Sequence, residues 1–349
     1  MSGVLIILGS FTIILLAAEI WARLGAKPEW TRKLVHLGGG LIGLALPWLI
    51  ESPWVVLALT ASLSALFLLG ERLDVMKSLH KVERKTRGSE YYPLAIWLVF
   101  VIAGDRKWLY LAAVLTLAVA DAFAALIGSR YGRHRYEVED EYKSVEGSLV
   151  FFVIAFLASS LPMLLMTTLP RATCILSALL VAMLVTIFEA ISLTGTDNLF
   201  VPIAVVFVLQ KITTKTVPHI AMQNVAFLVI VALMLVLAAR IEWFNIGGAL
   251  TVTLFLYAAW SLAPRLLYII PAFIGLAVLV VARVLTKERR RVKVRAATRT
   301  LMVPFILLLA ANMTGQFDRF YPWYLAACTA VFAWVFFSAV RQPRSSHPS

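Results

Sequence analysis

The chain has 349 residues, 61% of them hydrophobic and only 15% charged, with a mean hydropathy of +0.88. A soluble domain carries roughly 25% charged residues, so this composition excludes a soluble enzyme, a secreted disulfide scaffold and a disordered chain. The formal charge of +13 could signal nucleic acid, but no aromatic-basic motif or recognised DNA-binding module accompanies it.

In chain order, about thirteen apolar segments lie near the ~20 residues that a spanning helix needs. They cover 2–22, 34–50, 53–70, 92–104, 108–129, 147–166, 172–193, 199–210, 219–240, 244–263, 266–283, 300–316 and 320–340. The pattern predicts an all-α, polytopic integral membrane protein. It excludes an outer-membrane barrel, whose strands are ~10-residue alternating segments. The segments 92–104 and 199–210 are short enough to be half-helices or re-entrant pieces. The first run lacks a basic leading region and a small-residue cleavage site, so it reads as a helix and not as a signal peptide. Cys174 and Cys328 lie inside apolar runs and predict neither a disulfide framework nor a metal-ligand pair.

Lys and Arg accumulate in cytoplasmic loops of membrane proteins. With the N-terminus outside, the inside loops hold Arg23 to Lys33, Arg72 to Arg87, Arg130 to Lys143, Arg240, Lys287 to Arg299, and the tail with Arg341 and Arg344. Outside loops keep Arg106, Lys107, Arg171, Lys211, Lys215 and Arg265. The imbalance is about fourfold and predicts N-out, C-in.

An ionisable side chain inside a span costs roughly 2.5–3.5 kcal/mol on insertion scales, so each one is a functional candidate. Glu19, His36, Asp121, Glu146, Glu189 and Asp197 are such residues, and all six fall in or near the cytoplasmic half. Glu19 sits one turn from Arg23 and reads as an interfacial ion pair. His80, His134, His219 and His347 read as solvated loop residues. His36 shares a face with Arg32, Gly40 and Gly43, and the glycines predict close approach of another helix. Ala125 and Gly128 leave open space beside Asp121. Glu189 lies in a polar stripe with Thr186 and Ser192.

Several helices start on the cytoplasmic side with polar motifs. One follows Arg32-Lys33. Another begins at Gly88-Ser89-Glu90-Tyr91-Tyr92-Pro93, where Pro93 suits a first helical position. A third begins at Lys143-Ser144-Val145-Glu146-Gly147-Ser148, and a fourth follows Gly195-Thr196-Asp197-Asn198. Free backbone N–H groups and the dipole make helix N-termini anion sites, and Arg32, Lys33 and Lys143 suit a polyphosphate beside them. Asp121, Glu146, Glu189 and Asp197 suit Mg²⁺, which prefers oxygen ligands shared with substrate phosphates. The combination predicts phosphoryl transfer to or from a lipid.

These residues carry a resemblance. The chain resembles the phytol kinase and dolichol kinase family, membrane enzymes that use CTP to phosphorylate an isoprenoid alcohol. The matching pieces are Arg32-Lys33-Leu34-Val35-His36, Gly88 to Pro93, Asp121 to Gly128, Lys143 to Ser148, and Glu189-Ala190 followed by Asp197 to Pro202. They occur in family order over roughly residues 20–215. The related phosphatidate cytidylyltransferases end in a Lys-Asp and a Pro-Gly-His-Gly-Gly stretch, which this chain lacks.

The resemblance implies CTP as phosphoryl donor, Mg²⁺, and a lipid alcohol whose hydroxyl lies at the cytoplasmic interface. It implies catalytic roles for Asp121, Lys143 and Glu146, with Asp121 binding metal or taking the hydroxyl proton. Arg32, Lys33, His36, Glu90, Lys143, Ser144, Gly147 and Asn198 would bind the nucleotide. Asp121, Glu146, Glu189 and Asp197 would bind the metal. Residues 1–218 would form the catalytic membrane domain and 219–349 an additional, structural bundle. The alternatives are CDP-lipid synthesis like that of the cytidylyltransferases, and transport. A transporter predicts matching interruptions in two halves, whereas here the polar motifs cluster in one half.

Overall fold

Backbone N–H and C=O groups must pair internally where water is absent, so long apolar runs fold as helices. The computed structural model describes residues 2–72, 88–139, 141–193, 195–241, 245–263, 269–277 and 292–341. Helix α1 spans Ser2–Arg23, α2 Pro28–Leu44, α3 Leu46–Leu49, α4 Pro53–Arg72 and α5 Gly88–Ala103. Helix α6, Lys107–Leu115, runs through a π-helical turn at Thr116–Ala120 into α7, Asp121–Tyr131. Strands β1, Arg135–Val138, and β2, Glu141–Ser144, form a two-stranded hairpin. Then come α8 Val145–Met166, α9 Arg171–Ile191, α10 Asp197–Ile212, α11 Val217–Ile241, α12 Ile246–Leu262, α13 Val294–Thr314 and α14 Phe317–Arg341.

The fold is that of a helical membrane protein. Six helical stretches among the described residues are long and apolar enough to cross a membrane: Ser2–Arg23, Lys107–Tyr131, Val145–Met166, Arg171–Ile191, Val217–Arg240 and Val294–Thr314. Four more apolar helices, Lys33–Leu49, Pro53–Leu66, Tyr91–Ala103 and Ile246–Leu262, are shorter. Residues 73–87, half of the expected span 266–283 and residues 287–291 lie outside the described residues.

Two local features differ from the sequence reading. The β1–β2 hairpin departs from all-α structure, and Glu139 makes its turn with a left-handed φ of 54°. Pro93 lies inside α5 and not at its first position, because Gly88 to Tyr92 already form a helical turn. A proline there removes one N–H from the helix ladder.

The chain divides into two compact units, residues 1–135 with 143–222, and residues 136–142 with 223–349. In the first, α8 packs on α7, α9 and α6, while α10 packs on α5, α6 and α9. Its core is rich in small side chains such as Ala112, Ala113, Ala155, Ala178 and Ala182. Small residues let helices approach closely where lipid supplies no hydrophobic drive between them. Gly128 and Gly147 mark the closest approach of α7 and α8. A Cβ on Gly147 would stand 3.0 Å from the Ala124 carbonyl oxygen and 3.2 Å from Gly128 Cα.

In the second unit, Asn245 caps α12 by accepting from Gly248 N at 2.7 Å, and its own N–H donates to the Val292 carbonyl at 3.2 Å. The Glu139 carboxylate accepts the Arg295 backbone N–H in the first turn of α13, and Lys293 Nζ stands 3.8 Å from Glu137. A carboxylate at a helix N-terminus satisfies an orphan donor and complements the dipole.

Candidate active site

The polar residues of the first unit converge from five elements. Helix α2 brings Lys33 and His36, the π turn delivers Asp121 at the start of α7, β2 carries Lys143 one residue before its end, α9 ends near Glu189, and α10 begins at Asp197. Lys33 Nζ donates to Asp121 Oδ2 at 3.4 Å, and His36 Nε2 stands 3.4 Å from the same oxygen. His36 Nε2 also lies 3.3 Å from the Leu117 carbonyl oxygen. Lys143 Nζ donates to Glu189 Oε1 at 2.8 Å and to the Glu189 carbonyl. Asp197 lies within Coulombic reach of Asp121, Lys143 and Glu189. Three carboxylates and two ammonium groups therefore form one charged group inside a helical bundle.

The site is half-buried. Side-chain exposure is 23% for Asp121 and 13% for Glu189, so charge there is only weakly screened. Asp121 Oδ1 carries no hydrogen bond among the described residues, because both partners address Oδ2. At the start of α10, Ser192 Oγ accepts from Asp197 N at 2.8 Å and donates to Asp197 Oδ1 at 3.1 Å. Beside it, Asn198 is buried, and its Oδ1 has no hydrogen-bond partner. A buried acceptor left unpaired is costly, which points to a missing donor or cation.

Other expected residues stand elsewhere. Glu146 faces the base of the hairpin, where its oxygens accept from His134 N at 3.1 and 3.3 Å and Oε1 lies 2.8 Å from His134 Nδ1. His134 thus has a partner. Ser144 Oγ accepts from Gly147 N at 3.1 Å and caps α8, so its acceptor lone pair serves the helix. Gly147 is used for close packing against α7. Arg32 and Glu90 lie on α2 and α5, with side chains outside the described residues. His80 and His347 also lie outside them. Glu19 and Arg23 form the expected pair at 3.0 Å.

Tyr92, which is not ionisable at neutral pH and so does not stand out in the sequence, supports the site. Its hydroxyl donates to the His36 carbonyl at 3.4 Å, and its ring meets the imidazole edge-on at 4.7 Å. Its sequence signal is its place before Pro93 in the Gly88 to Pro93 motif. Nothing in the sequence marks the π turn.

No three His, Cys, Asp or Glu side chains among the described residues cluster as a preformed metal site. Mg²⁺ is commonly held by one or two carboxylates plus substrate phosphates. Asp197, within Coulombic reach of Asp121, and the adjacent orphaned Asn198 Oδ1 fit that pattern. Glu146, engaged by His134, does not.

A phytol kinase of Synechocystis sp. is 34% identical over 194 residues, which cover 54% of this chain and 82% of that protein. The chain belongs to the phytol kinase family. It is therefore a lipid kinase, a phosphotransferase with an alcohol group as acceptor. A probable chloroplastic phytol kinase of Zea mays is 26% identical over 225 residues, 59% of this chain and 74% of that protein. A probable phytol kinase 2, chloroplastic, of Glycine max is 26% identical over 218 residues, 59% of this chain and 73% of that protein. No protein-family model matches the chain, and no solved structure matches it.

Proposed function

We propose that this phytol kinase family member transfers the γ-phosphate of CTP, with Mg²⁺, to the hydroxyl of phytol or a related long-chain isoprenoid alcohol. The observation that carries the reading is Asp121, addressed on one oxygen by Lys33 and His36 and open on the other, beside Lys143–Glu189 and Asp197. The names of the relatives support the acceptor.

Asp121 Oδ1 would accept the proton of the alcohol hydroxyl as its oxygen attacks the γ-phosphorus. The bond to the β–γ bridging oxygen then breaks, and CDP leaves. Lys33, 3.4 Å from its other oxygen, is the counter-ion of Asp121 before that moment. Lys143 would swing from Glu189 toward the phosphates, and Glu189 is the counter-ion that holds it in waiting. Asp197 and Asn198 would hold Mg²⁺, which when bound neutralises charge on the phosphate oxygens. The isoprenoid tail would remain in the bilayer. The Lys/Arg asymmetry supports an N-out, C-in orientation with this face in the cytoplasm. All these residues lie within 1–218, which supports that stretch as the catalytic region.

The test is direct. Purified protein is incubated with CTP labelled, in parallel reactions, at the γ- or the α-phosphate, with Mg²⁺, and with phytol, geranylgeraniol, a polyprenol or phosphatidate. The expected result is label in a lipid monophosphate with at least one alcohol. CDP-lipid from phosphatidate, or no transfer to any alcohol, overturns the reading.

A further inference from the structure

The turn before Asp121 is π-helical over Thr116–Ala120, inside an otherwise α-helical span. Single π turns replace the i→i+4 ladder by i→i+5 bonds, are rare, and occur frequently at functional sites. Such a turn disturbs the ladder and leaves backbone carbonyl groups that need partners from outside the helix. Here the outside partner is visible, since His36 Nε2 lies 3.3 Å from the Leu117 carbonyl oxygen. The same nitrogen lies 3.4 Å from Asp121 Oδ2. Both neighbours are acceptors, so Nε2 must carry the hydrogen.

The rest of the setting holds the ring in that pose. Tyr92 packs edge-on against it at 4.7 Å and donates its hydroxyl to the His36 carbonyl at 3.4 Å. Gly40, one turn further along α2, has no room for a side chain because a Cβ would collide with Ala118 in the π turn. Tyr110 OH donates to the Gly43 carbonyl at 2.8 Å, fastening α2 to α6 one turn beyond that. Helix α2 is therefore seated on the π turn, with His36 at the contact.

We infer that His36 is a positioning residue: its Nε2–H bridges the Leu117 carbonyl of the π turn and Asp121 Oδ2, and so aims the carboxylate at the acceptor hydroxyl. This deepens the proposed function and rests on Asp121 being the reacting carboxylate. It assigns His36 neither to phosphate binding nor to proton abstraction.

Side-chain reach provides the test. The Gln amide nitrogen extends about as far as Nε2, whereas the Asn amide falls short of it. His36→Gln, His36→Asn and His36→Ala are compared in purified full-length protein with γ-labelled CTP and phytol. We expect kcat of the Asn and Ala variants to fall roughly 10²-fold, the scale for a misplaced reacting group. The apparent KM for CTP should stay within about threefold, as for an interaction made chiefly in the transition state. His36→Gln should recover at least tenfold of the loss. Deleting Val119, the least buried residue of the π turn, should mimic His36→Asn, because five π residues cover about the same rotation as four α residues. Activity as low in His36→Gln as in His36→Ala overturns the inference, as does a KM effect exceeding the kcat effect or a fully active deletion. Asp121→Asn run in parallel separates the two readings: if it stays active, the site itself is misassigned, whatever the His36 series shows.

Discussion

Replacing Asp121 by Asn should separate stability from catalysis. The carboxylate oxygen is 3.4 Å from Lys33 Nζ, and the two side chains are 23% and 24% exposed. At an effective dielectric near 20, a pair at that distance attracts by about 5 kcal/mol before desolvation is counted. Desolvation offsets much of this, and removing one partner strands the other charge. Lys33 can move its ammonium toward water on a flexible stem. The net stability loss should therefore be about 1–2 kcal/mol, small enough for the protein to insert and fold. Phosphoryl transfer should fall at least ~10²-fold, because the amide cannot take the hydroxyl proton. Adding Lys33→Met should restore stability, with a coupling of roughly 0.5–3 kcal/mol in the double-mutant cycle, without restoring activity. The assays are thermal unfolding in detergent and label transfer from γ-labelled CTP to phytol. An Asp121→Asn enzyme with more than a tenth of the original rate would refute the reasoning, as would rescue of activity in the double variant.

Lys143→Met should raise the apparent KM for CTP about tenfold or more, since a charge-assisted hydrogen bond contributes roughly 1.5–3 kcal/mol; a CTP titration checks this. Gly147→Ala should lower stability by about 1–3 kcal/mol through overpacking of α7 on α8, while Gly9→Ala, with nothing within 4 Å of the added Cβ, should leave the melting temperature unchanged. Glu146→Gln keeps an acceptor for the His134 N–H and should retain activity within about threefold, whereas a loss on the scale of Asp121→Asn would return Glu146 to the reacting group. A reporter fused after Ser349 should read cytoplasmic if the basic-residue asymmetry sets orientation.

The legible part of this protein was its charge in the wrong solvent. Lys33, His36, Asp121, Lys143, Glu189 and Asp197 stand out because an ionisable side chain in an apolar helix is expensive unless it has a partner or a task. Their pairing was not legible, because Glu146 and Glu189 look alike in the chain and only packing sends one to His134 and the other to Lys143. In the sequence Ser144 suits a nucleotide ligand as well as a helix cap, and the local backbone decides for the cap. The π turn leaves no mark in the chain because Thr116-Leu117-Ala118-Val119-Ala120 is ordinary helical sequence, and an extra residue in a turn shows only against the helix beside it. The hairpin did leave a trace, since Tyr136 and Val138 are buried while Arg135 and Glu137 are exposed. That period of two is brief, and its turn lacks the glycine that usually announces one.

The Glu139 carboxylate and the Arg295 N–H that it accepts are 156 residues apart. On a ribosome adding ~5–20 residues per second, the hairpin tip waits roughly 8–30 s for its partner to be made. The helices around Asp121 are all synthesised before that interval ends. Glu139 must therefore reach this partner late, after residues 140–294 have been made. A ribosome stalled before residue 292 would carry a complete set of the charged site residues, yet the turn between β1 and β2 would still lack its backbone donor.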